Sequence, residues 1–306
     1  MAGERVEVRI PSHGEQLAAY LYRPDTGVPV PCVVMAHGFS GTRDDALPGY
    51  AEAFRDAGYA VLLFDYRHFG ASTGRPRQLL DIGRQQDDYR AVIDWARRAE
   101  GVDPDRIVLW GSSFSGGHVI AVAAADPRIA AVISQAPYTD SVPVIRRMPP
   151  ANLIRAVVAA VRDQAGALRG RPPTTIPAVG PPGTFAAMTA PDAQSGFSAI
   201  VPPESLWRNE IAARVMLAMP LFRPVRLAAR LAMPVLFCVC DADTTTPAES
   251  TVRAARLAPH GELIRYPYDH FSIYTDPQVK IDQVAFLRRV LGGPDLLPPN
   301  ATRQLN

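Results

Sequence analysis

The feature that most constrains the fold of this chain is a regular alternation of short, uninterrupted apolar runs with helical segments. The apolar runs are Val30–Ala36, Ala60–Phe64, Ile107–Trp110, Ile129–Ser134 and Met233–Cys240. A strand is apolar along its whole length when both faces of its sheet are covered. Strands that alternate with helices form a parallel, doubly wound sheet with helices on both faces. The sequence therefore predicts an α/β protein.

The remaining predicted elements complete a sheet of eight strands. Val6–Ile10 and Leu17–Tyr22 are predicted to form an antiparallel hairpin, and Glu262–Tyr266 is predicted to be a late strand. Five helices are predicted in the same part of the chain: Tyr50–Ala57, Asp81–Ala99, Gly116–Ala125, Pro247–Leu257 and Asp276–Leu291. We expect a mostly parallel sheet of eight strands that begins with this hairpin.

Charge and composition exclude several classes of protein. The chain has 306 residues and a formal charge of +2, so no overall basic field indicates a nucleic-acid partner. Met1–Glu7 is charged where a signal peptide would be apolar, and no run reaches transmembrane length, so we expect a cytoplasmic protein without a membrane partner. Cys32, Cys238 and Cys240 lie in apolar runs, which favours core packing over a disulfide or a metal site.

The alternation stops after Asp140 and resumes only at Met233. Between them we predict a helix over Leu153–Leu168, a Pro/Gly/Thr-rich stretch without secondary structure over Arg171–Pro203, and a helix over Leu206–Leu217. An interruption of this length in a compact domain is typical of a lid or binding element. We therefore predict a core of residues 1–140 and 226–306 and a helical cap of residues 141–225.

The predicted cap region is also basic. Residues 141–230 contain eleven arginines and four acidic residues. This excess fits either a solvated, arginine-rich surface or an entrance that attracts anions.

A sharp turn joins the predicted strand that ends at Gly111 to the helix that follows it. Small residues let strand and helix meet almost head-on, and such a turn holds the Ser113 hydroxyl in a strained, exposed position beside the helix N-terminus. The helix N-terminus supplies free N–H groups where an oxyanion would form. Ser115 is an alternative nucleophile if the turn is placed two residues later.

A serine nucleophile needs a histidine base and an acid that fixes the histidine. In open parallel sheets, functional groups collect at the carboxyl ends of the strands. His270 follows the strand that ends at Tyr266, and Asp241 and Asp243 both follow the strand that ends at Cys240. Asp140 is a further candidate acid. The predicted chain order is serine, acid, histidine.

Five motifs in this order resemble those of α/β-hydrolases. They are His37–Phe39, Asp65–Ser72, Gly111–Gly117, Asp241–Pro247 and Asp269–Phe271. The pattern is similar to the branch that contains dienelactone-hydrolase-like and Xaa-Pro dipeptidyl-peptidase-like proteins. Where the usual G-x-S-x-G motif has its second glycine, this chain has Ser115, a small residue that the turn can accommodate.

The resemblance implies an α/β-hydrolase fold and a catalytic triad of Ser113, Asp243 and His270. It also implies backbone oxyanion donors at Phe39 and Phe114. His37 and Gly38 would then support the oxyanion loop, and neither a metal nor a cofactor would be needed. The implied reaction is cleavage of a carboxylic ester, lactone or thioester through an acyl-enzyme.

Three alternatives stay open on the sequence. An Xaa-Pro peptidase would need an acidic pair in the cap, and only Glu204 and Glu210 are placed for it. A biosynthetic acyltransferase or cyclase could use the same pocket, and a ligand-binding protein could share the fold without catalysis. The expected partner is a small molecule with an acyl or aromatic group, and a homodimer is the default oligomeric state.

Overall fold

The computed structural model describes residues 5–292, and its centre is an eight-stranded sheet. The strands are β1 (Arg5–Ser12), β2 (Glu15–Tyr22), β3 (Val30–Ala36), β4 (Ala60–Phe64), β5 (Val102–Ser112), β6 (Ile129–Gln135), β9 (Val235–Cys240) and β10 (Gly261–Tyr266). Their spatial order is β1-β2-β4-β3-β5-β6-β9-β10. The pairs β1/β2 and β2/β4 are antiparallel, and the other neighbouring pairs are parallel. The predicted fold class is confirmed.

Helices cover both faces of this sheet. They are α1 (Pro48–Asp56), α2 (Ile82–Ala96), α3 (Phe114–Ala123), α8 (Ala248–Leu257) and α9 (Pro277–Leu291). Helices α1 and α9 pack on one face, and α2, α3 and α8 pack on the other. Alternate residues of β3 join opposite cores: Cys32 and Val34 pack with α2, whereas Val33 and Met35 pack with α1. Two-sided burial is thus the physical reason for the continuous apolar runs.

The three cysteines lie in the core, as the sequence predicts. Cys32, Cys238 and Cys240 are buried free thiols, and the last two share one face of β9. Burial raises the pKa of Cys32 and of Cys238 to about 12, because an apolar surrounding disfavours the thiolate. These side chains act as small apolar residues.

The segment between β6 and β9 carries short elements outside the main sheet. They are α4 (Ser141–Arg147), α5 (Pro150–Ala167), β7 (Thr175–Ile176), α6 (Ala193–Ile200), β8 (Ile211–Ala212) and α7 (Val215–Ala218), followed by 3₁₀ turns at Met219–Leu221 and Pro224–Arg230. The two-residue strands β7 and β8 pair with each other. None of the helices within residues 5–292 combines the length and the apolar composition required to cross a membrane.

Two predictions for this segment are wrong. The stretch Arg171–Pro203 is not without secondary structure, because it contains β7 and α6. Helix α6 is stabilised by burial of Phe197 and Ile200 against the core, a contact that its Gly- and Pro-rich surroundings do not reveal. Within Leu206–Leu217 only the end, from Val215, is helical, since the preceding residues form β8 and bind Gln78 and Thr174 through their backbone.

Candidate active site

Ser113 occupies the sharp turn between β5 and α3. Its backbone has φ 57° and ψ −121°, a region that side-chain-bearing residues rarely adopt and that costs about 1–3 kcal/mol. The residue is 7% exposed. Phe114 is the first residue of α3, so its backbone N–H has no acceptor within the helix. The turn therefore presents a hydroxyl beside a free N–H donor.

Glycines at three positions allow this turn to form. A Cβ atom on Gly111 would clash with the backbone carbonyl of Ser115, and one on Gly117 would clash with that of Tyr138. A Cβ atom on Gly116 would lie 2.7 Å from the Cβ atom of Pro137. The three glycines thus allow α3 to approach its neighbours closely.

We expect Gly111→Ala to lower the free energy of unfolding by about 1–3 kcal/mol, because the clash is with backbone and cannot be relieved by a rotamer change. Chemical denaturation of the two proteins measures the difference. Gly83→Ala is the matched control: Gly83 is exposed in α2, and its added Cβ would meet Asp81 at an ordinary 3.5 Å. That variant should be stabilised by up to about 1 kcal/mol. Equal effects at the two positions would contradict the packing argument.

The structure brings Ser113, His270 and Asp243 into one hydrogen-bonded chain. The distance from Ser113 Oγ to His270 Nε2 is 2.9 Å, and that from His270 Nδ1 to Asp243 Oδ2 is 2.7 Å. A carboxylate only accepts, so Nδ1 carries the proton and Nε2 is free to accept from the serine. Ser113 follows β5, Asp243 follows β9 and His270 follows β10, so the ends of three strands on one half of the sheet supply the three groups.

Asp243 is held by the residues that follow it. Thr245 and Thr246 donate their backbone N–H groups to Asp243 Oδ1 at 2.8 and 2.6 Å, and the Thr246 hydroxyl donates to Oδ2 at 2.7 Å. This role of Thr246 was not predicted from the sequence. The sequence does contain a signal for it, because an aspartate followed by threonines is typical of a turn that the carboxylate closes by hydrogen bonding.

Two opposing effects act on the pKa of His270. The His270 side chain is 2% exposed, and burial by itself would lower the pKa. The charge and hydrogen bond of Asp243, with smaller contributions from Asp192 and Asp269, more than offset this. The pKa of His270 is therefore raised above its ordinary 6.5.

Ser115, the alternative nucleophile, lies in the core. It is fully buried, and its hydroxyl lies 3.0 Å from the Tyr66 hydroxyl and 2.7 Å from the Tyr89 hydroxyl. His270 is not among its partners. The two serines thus differ in their partners, since only Ser113 is hydrogen-bonded to His270.

The other two candidate acids are engaged elsewhere. Asp140 caps α4 and accepts two hydrogen bonds from Arg223 at 2.8 Å each, and these bonds outweigh burial and lower its pKa. Asp241 is exposed and accepts a hydrogen bond from Arg265 at 2.8 Å. Neither carboxylate hydrogen-bonds to His270.

The loop after β3 lies directly against Ser113. A Cβ atom on Gly38 would lie 3.0 Å from the Cβ atom of Ser113, so only glycine fits there without movement of a neighbour. The ring of Phe39 packs edge-to-face on that of Phe114, with centroids 5.6 Å apart. The two residues predicted to be oxyanion donors are therefore neighbours beside Ser113.

His37 braces this loop as a neutral side chain. Its Nδ1 atom donates to the Gly38 carbonyl at 2.9 Å, and burial lowers its pKa to about 4. His118, on α3, is also buried; its Nε2 lies 2.9 Å from the Gln85 side chain, and burial lowers its pKa to about 3. Between residues 5 and 292, no group of three or more His, Cys, Asp or Glu side chains could hold a metal ion.

Two cavities reach Ser113. The large cavity has a volume of about 210 Å³, and the small cavity one of about 30 Å³. The large cavity is lined mostly by apolar side chains from the segment between β6 and β9, namely Val144, Ile145, Met148, Pro149, Met188, Met216 and Met219. Its one charged lining residue is Arg147, which is exposed. The small cavity is lined by side chains that include His37, Asp45 and His270.

Residues 192–207 contact the loops after β3, β9 and β10, and these contacts were not predicted from the sequence. Asp192 accepts from Thr244 at 3.2 Å, beside the acid loop, and Phe197 packs on Phe271, next to the histidine. Ser205 donates to Asp45 at 2.7 Å. No local pattern predicts these contacts, because each one joins residues far apart in the chain.

Asp45 in turn holds the loop after β3. Its Oδ2 atom accepts from the Thr42 backbone at 2.7 Å, and the Thr42 and Ser205 hydroxyls lie 3.0 Å apart. Burial raises the pKa of Asp45 to about 6.

The acidic pair that a peptidase would need is not at the site. Glu204 is exposed, and Glu210 pairs with Arg208 at 3.4 Å. Neither residue lines the large or the small cavity.

Comparison with known proteins identifies relatives over most of the chain. The model of the X-Pro dipeptidyl-peptidase (S15 family) matches residues 13–152, which include the Ser113 turn but neither Asp243 nor His270. Quorum-quenching protein AidA of Acinetobacter baumannii (strain MDR-ZJ06) is 45% identical over 289 residues, which are 94% of this chain and 95% of that protein. Polyketide transferase grgF of Penicillium sp. is 34% identical over 155 residues, 51% of each chain.

Solved structures share the fold. The α/β hydrolase GrgF from Penicillium sp. sh18 superposes with a TM-score of 0.79 at 24% identity, covering 94% of this chain and 99% of that one. DcsB, solved in complex with its substrate analogue, superposes with a TM-score of 0.81 at 24% identity, covering 95% of this chain and 100% of that one. At this identity the likeness concerns the fold alone.

Proposed function

This chain belongs to the α/β-hydrolase superfamily, and from that membership we propose that it is a serine hydrolase that cleaves carboxylic esters. The observation that carries the proposal is the hydrogen-bonded chain from Ser113 through His270 to Asp243, placed at the end of an apolar cavity. Lactones and thioesters are included, since the same acyl-transfer chemistry opens them.

In the proposed mechanism, His270 Nε2 removes the proton from Ser113 Oγ as the oxygen attacks the ester carbonyl. The backbone N–H groups of Phe39 and Phe114 stabilise the oxyanion, and each such donor contributes about 2.7–4 kcal/mol of transition-state stabilisation. The leaving oxygen takes the proton from Nε2, and an acyl-enzyme remains on Ser113. His270 then activates water, and Asp243 holds the imidazole throughout.

We propose that residues 141–225 act as a cap that selects the substrate. They supply most of the apolar lining of the large cavity, which suits an acyl or aromatic group. Arg147 offers a contact for an anionic substituent at the edge of that cavity. The proposed mechanism uses only side chains and backbone groups of this chain.

A second candidate function is acyl transfer to an acceptor other than water. It is favoured by the similarity to polyketide transferase grgF, a match that covers half of each chain. The same acyl-enzyme would form, so product analysis separates the two functions. A peptidase gains no support from the site, because Glu204 and Glu210 lie away from the cavities.

Labelling with an alkyl fluorophosphonate tests the proposed function. The probe should modify Ser113, as located by mass spectrometry of the digested protein, because only an activated serine displaces fluoride from it. Heat-denatured protein is the control and should stay unlabelled. Labelling of another serine, or of none, would contradict the proposal.

The proposed base predicts the pH dependence of turnover. His270 must be neutral at Nε2 to accept the serine proton, and its pKa is raised above 6.5, so activity is lost as the pH falls through that raised pKa. We expect a plot of kcat/KM against pH to show an acid limb with a midpoint above 6.5. A midpoint below that value would contradict the assignment of Asp243 as the residue that raises it.

A further inference from the structure

The two cavities at Ser113 differ sevenfold in volume. The large cavity has about 210 Å³ and the small cavity about 30 Å³, and Phe39, Ser113 and Met188 line both. An ester bound at Ser113 must divide between them, with its acyl part on one side of the scissile bond and its alcohol part on the other. The unequal volumes of the two cavities therefore restrict which part of the ester, acyl or alcohol, can enter each cavity.

The position of His270 decides which cavity receives the acyl part of the ester and which receives the alcohol part. His270 lines the small cavity and is absent from the lining of the large one. Its Nε2 atom, which lies 2.9 Å from Ser113 Oγ, must also reach the leaving oxygen to protonate it. The leaving group thus departs on the side of the small cavity, and the acyl chain occupies the large one.

The small cavity limits the size of the leaving group. A water molecule needs about 10–15 Å³ of such volume, so a cavity of about 30 Å³ holds roughly two atoms of that size. Its walls are the bulky side chains of Leu47, Phe197, Ile200, Phe271 and Tyr274. Phe197 and Ile200 belong to α6 and are only 6% and 9% exposed. Their side chains therefore have little space to move away from the cavity.

We infer that the preferred substrates are esters of a medium-length apolar acid with a small alcohol, of the size of methanol or ethanol. This inference rests on the proposed function. In the acylation step the bond between Ser113 Oγ and the acyl carbon forms and the bond to the small alcohol breaks. The serine proton passes through His270 Nε2 to the departing alkoxide. Water then takes the place of the alcohol in the small cavity. The water oxygen bonds to the acyl carbon as the bond to Ser113 Oγ breaks, a proton of the water passes through His270 Nε2 to Oγ, and the acid is released.

Two isomeric esters test the inference. Ethyl hexanoate and hexyl acetate contain the same atoms but exchange the long and the short side of the scissile bond. We expect kcat/KM, measured by titration of the released acid, to be at least about tenfold higher for ethyl hexanoate, because several methylenes would otherwise have to enter the small cavity. Equal rates, or a preference for hexyl acetate, would overturn the inference.

A matched pair of substitutions shows which cavity causes the difference in kcat/KM between the two esters. Ile200→Ala removes the same atoms from the wall of the small cavity that Ile145→Ala removes from the wall of the large one. Ile200→Ala should raise kcat/KM for hexyl acetate and narrow the ratio between the isomers. Ile145→Ala should lower kcat/KM more for ethyl hexanoate, whose longer acyl chain fills the large cavity, than for hexyl acetate. The reverse pattern would also overturn the inference.

Labelling of Ser113 by the fluorophosphonate separates failure of this inference from failure of the proposed function. It also shows that each variant is folded. Labelled protein with the wrong isomer preference, or with turnover of neither ester, contradicts the inference alone. Absence of labelling at Ser113 in the unaltered chain contradicts the proposed function.

Discussion

Replacement of Ser113 with alanine is expected to lower kcat for ethyl hexanoate by about 10⁶-fold while the protein stays folded. The alanine keeps the Cβ atom and therefore the strained backbone at φ 57°, so the free energy of unfolding should change by less than about 0.5 kcal/mol. The loss arises because no other hydroxyl lies within hydrogen-bond distance of His270 Nε2 among the residues described. Steady-state kinetics and chemical denaturation of the same preparation measure the two effects.

Ser115→Ala is the matched control, two residues further along the chain. Its hydroxyl hydrogen-bonds to Tyr66 and Tyr89 in the core, so its removal should cost about 1–3 kcal/mol of stability and leave catalysis in place. The two variants should thus show opposite patterns, one losing activity and the other stability. Retained turnover in Ser113→Ala together with loss in Ser115→Ala would move the nucleophile by two residues.

Replacement of Asp243 with asparagine is expected to lower kcat by about 10⁴-fold. The amide can donate to His270 Nδ1, which would then turn the ring to the tautomer with its proton on Nε2, where it cannot accept from Ser113. The charge that raises the pKa of His270 is lost as well. Any residual acid limb should therefore move to lower pH, and the pH profile of the variant measures this shift.

Asparagine at the two other candidate acids provides the controls for Asp243. Asp241→Asn removes an exposed pair with Arg265, which contributes about 0–1 kcal/mol, so kcat/KM should be unchanged. Asp140→Asn weakens the contact with Arg223 that anchors the start of α4 and should lower stability before it lowers kcat. A large loss of kcat in either variant, with Asp243→Asn active, would reassign the acid.

The core strands could be predicted because their signal is local. A strand such as β3 is buried on both faces, so each of its residues must be apolar, and the pattern is visible without knowledge of the neighbours. The segment between β6 and β9 could not be predicted in the same way. Helix α6 has eight residues and depends on Phe197 packing against Phe271, a residue more than seventy positions away in the sequence.

The sequence by itself determined the fold class, the family resemblance and a short set of candidate side chains at strand ends. It left two serines and three acids as candidates, because spacing along a chain does not measure distance in space. The tertiary structure decided among them by contact: Ser113 and Asp243 bond to His270, whereas Ser115, Asp140 and Asp241 bond to other partners. The unequal cavities likewise exist only where residues from distant segments pack together.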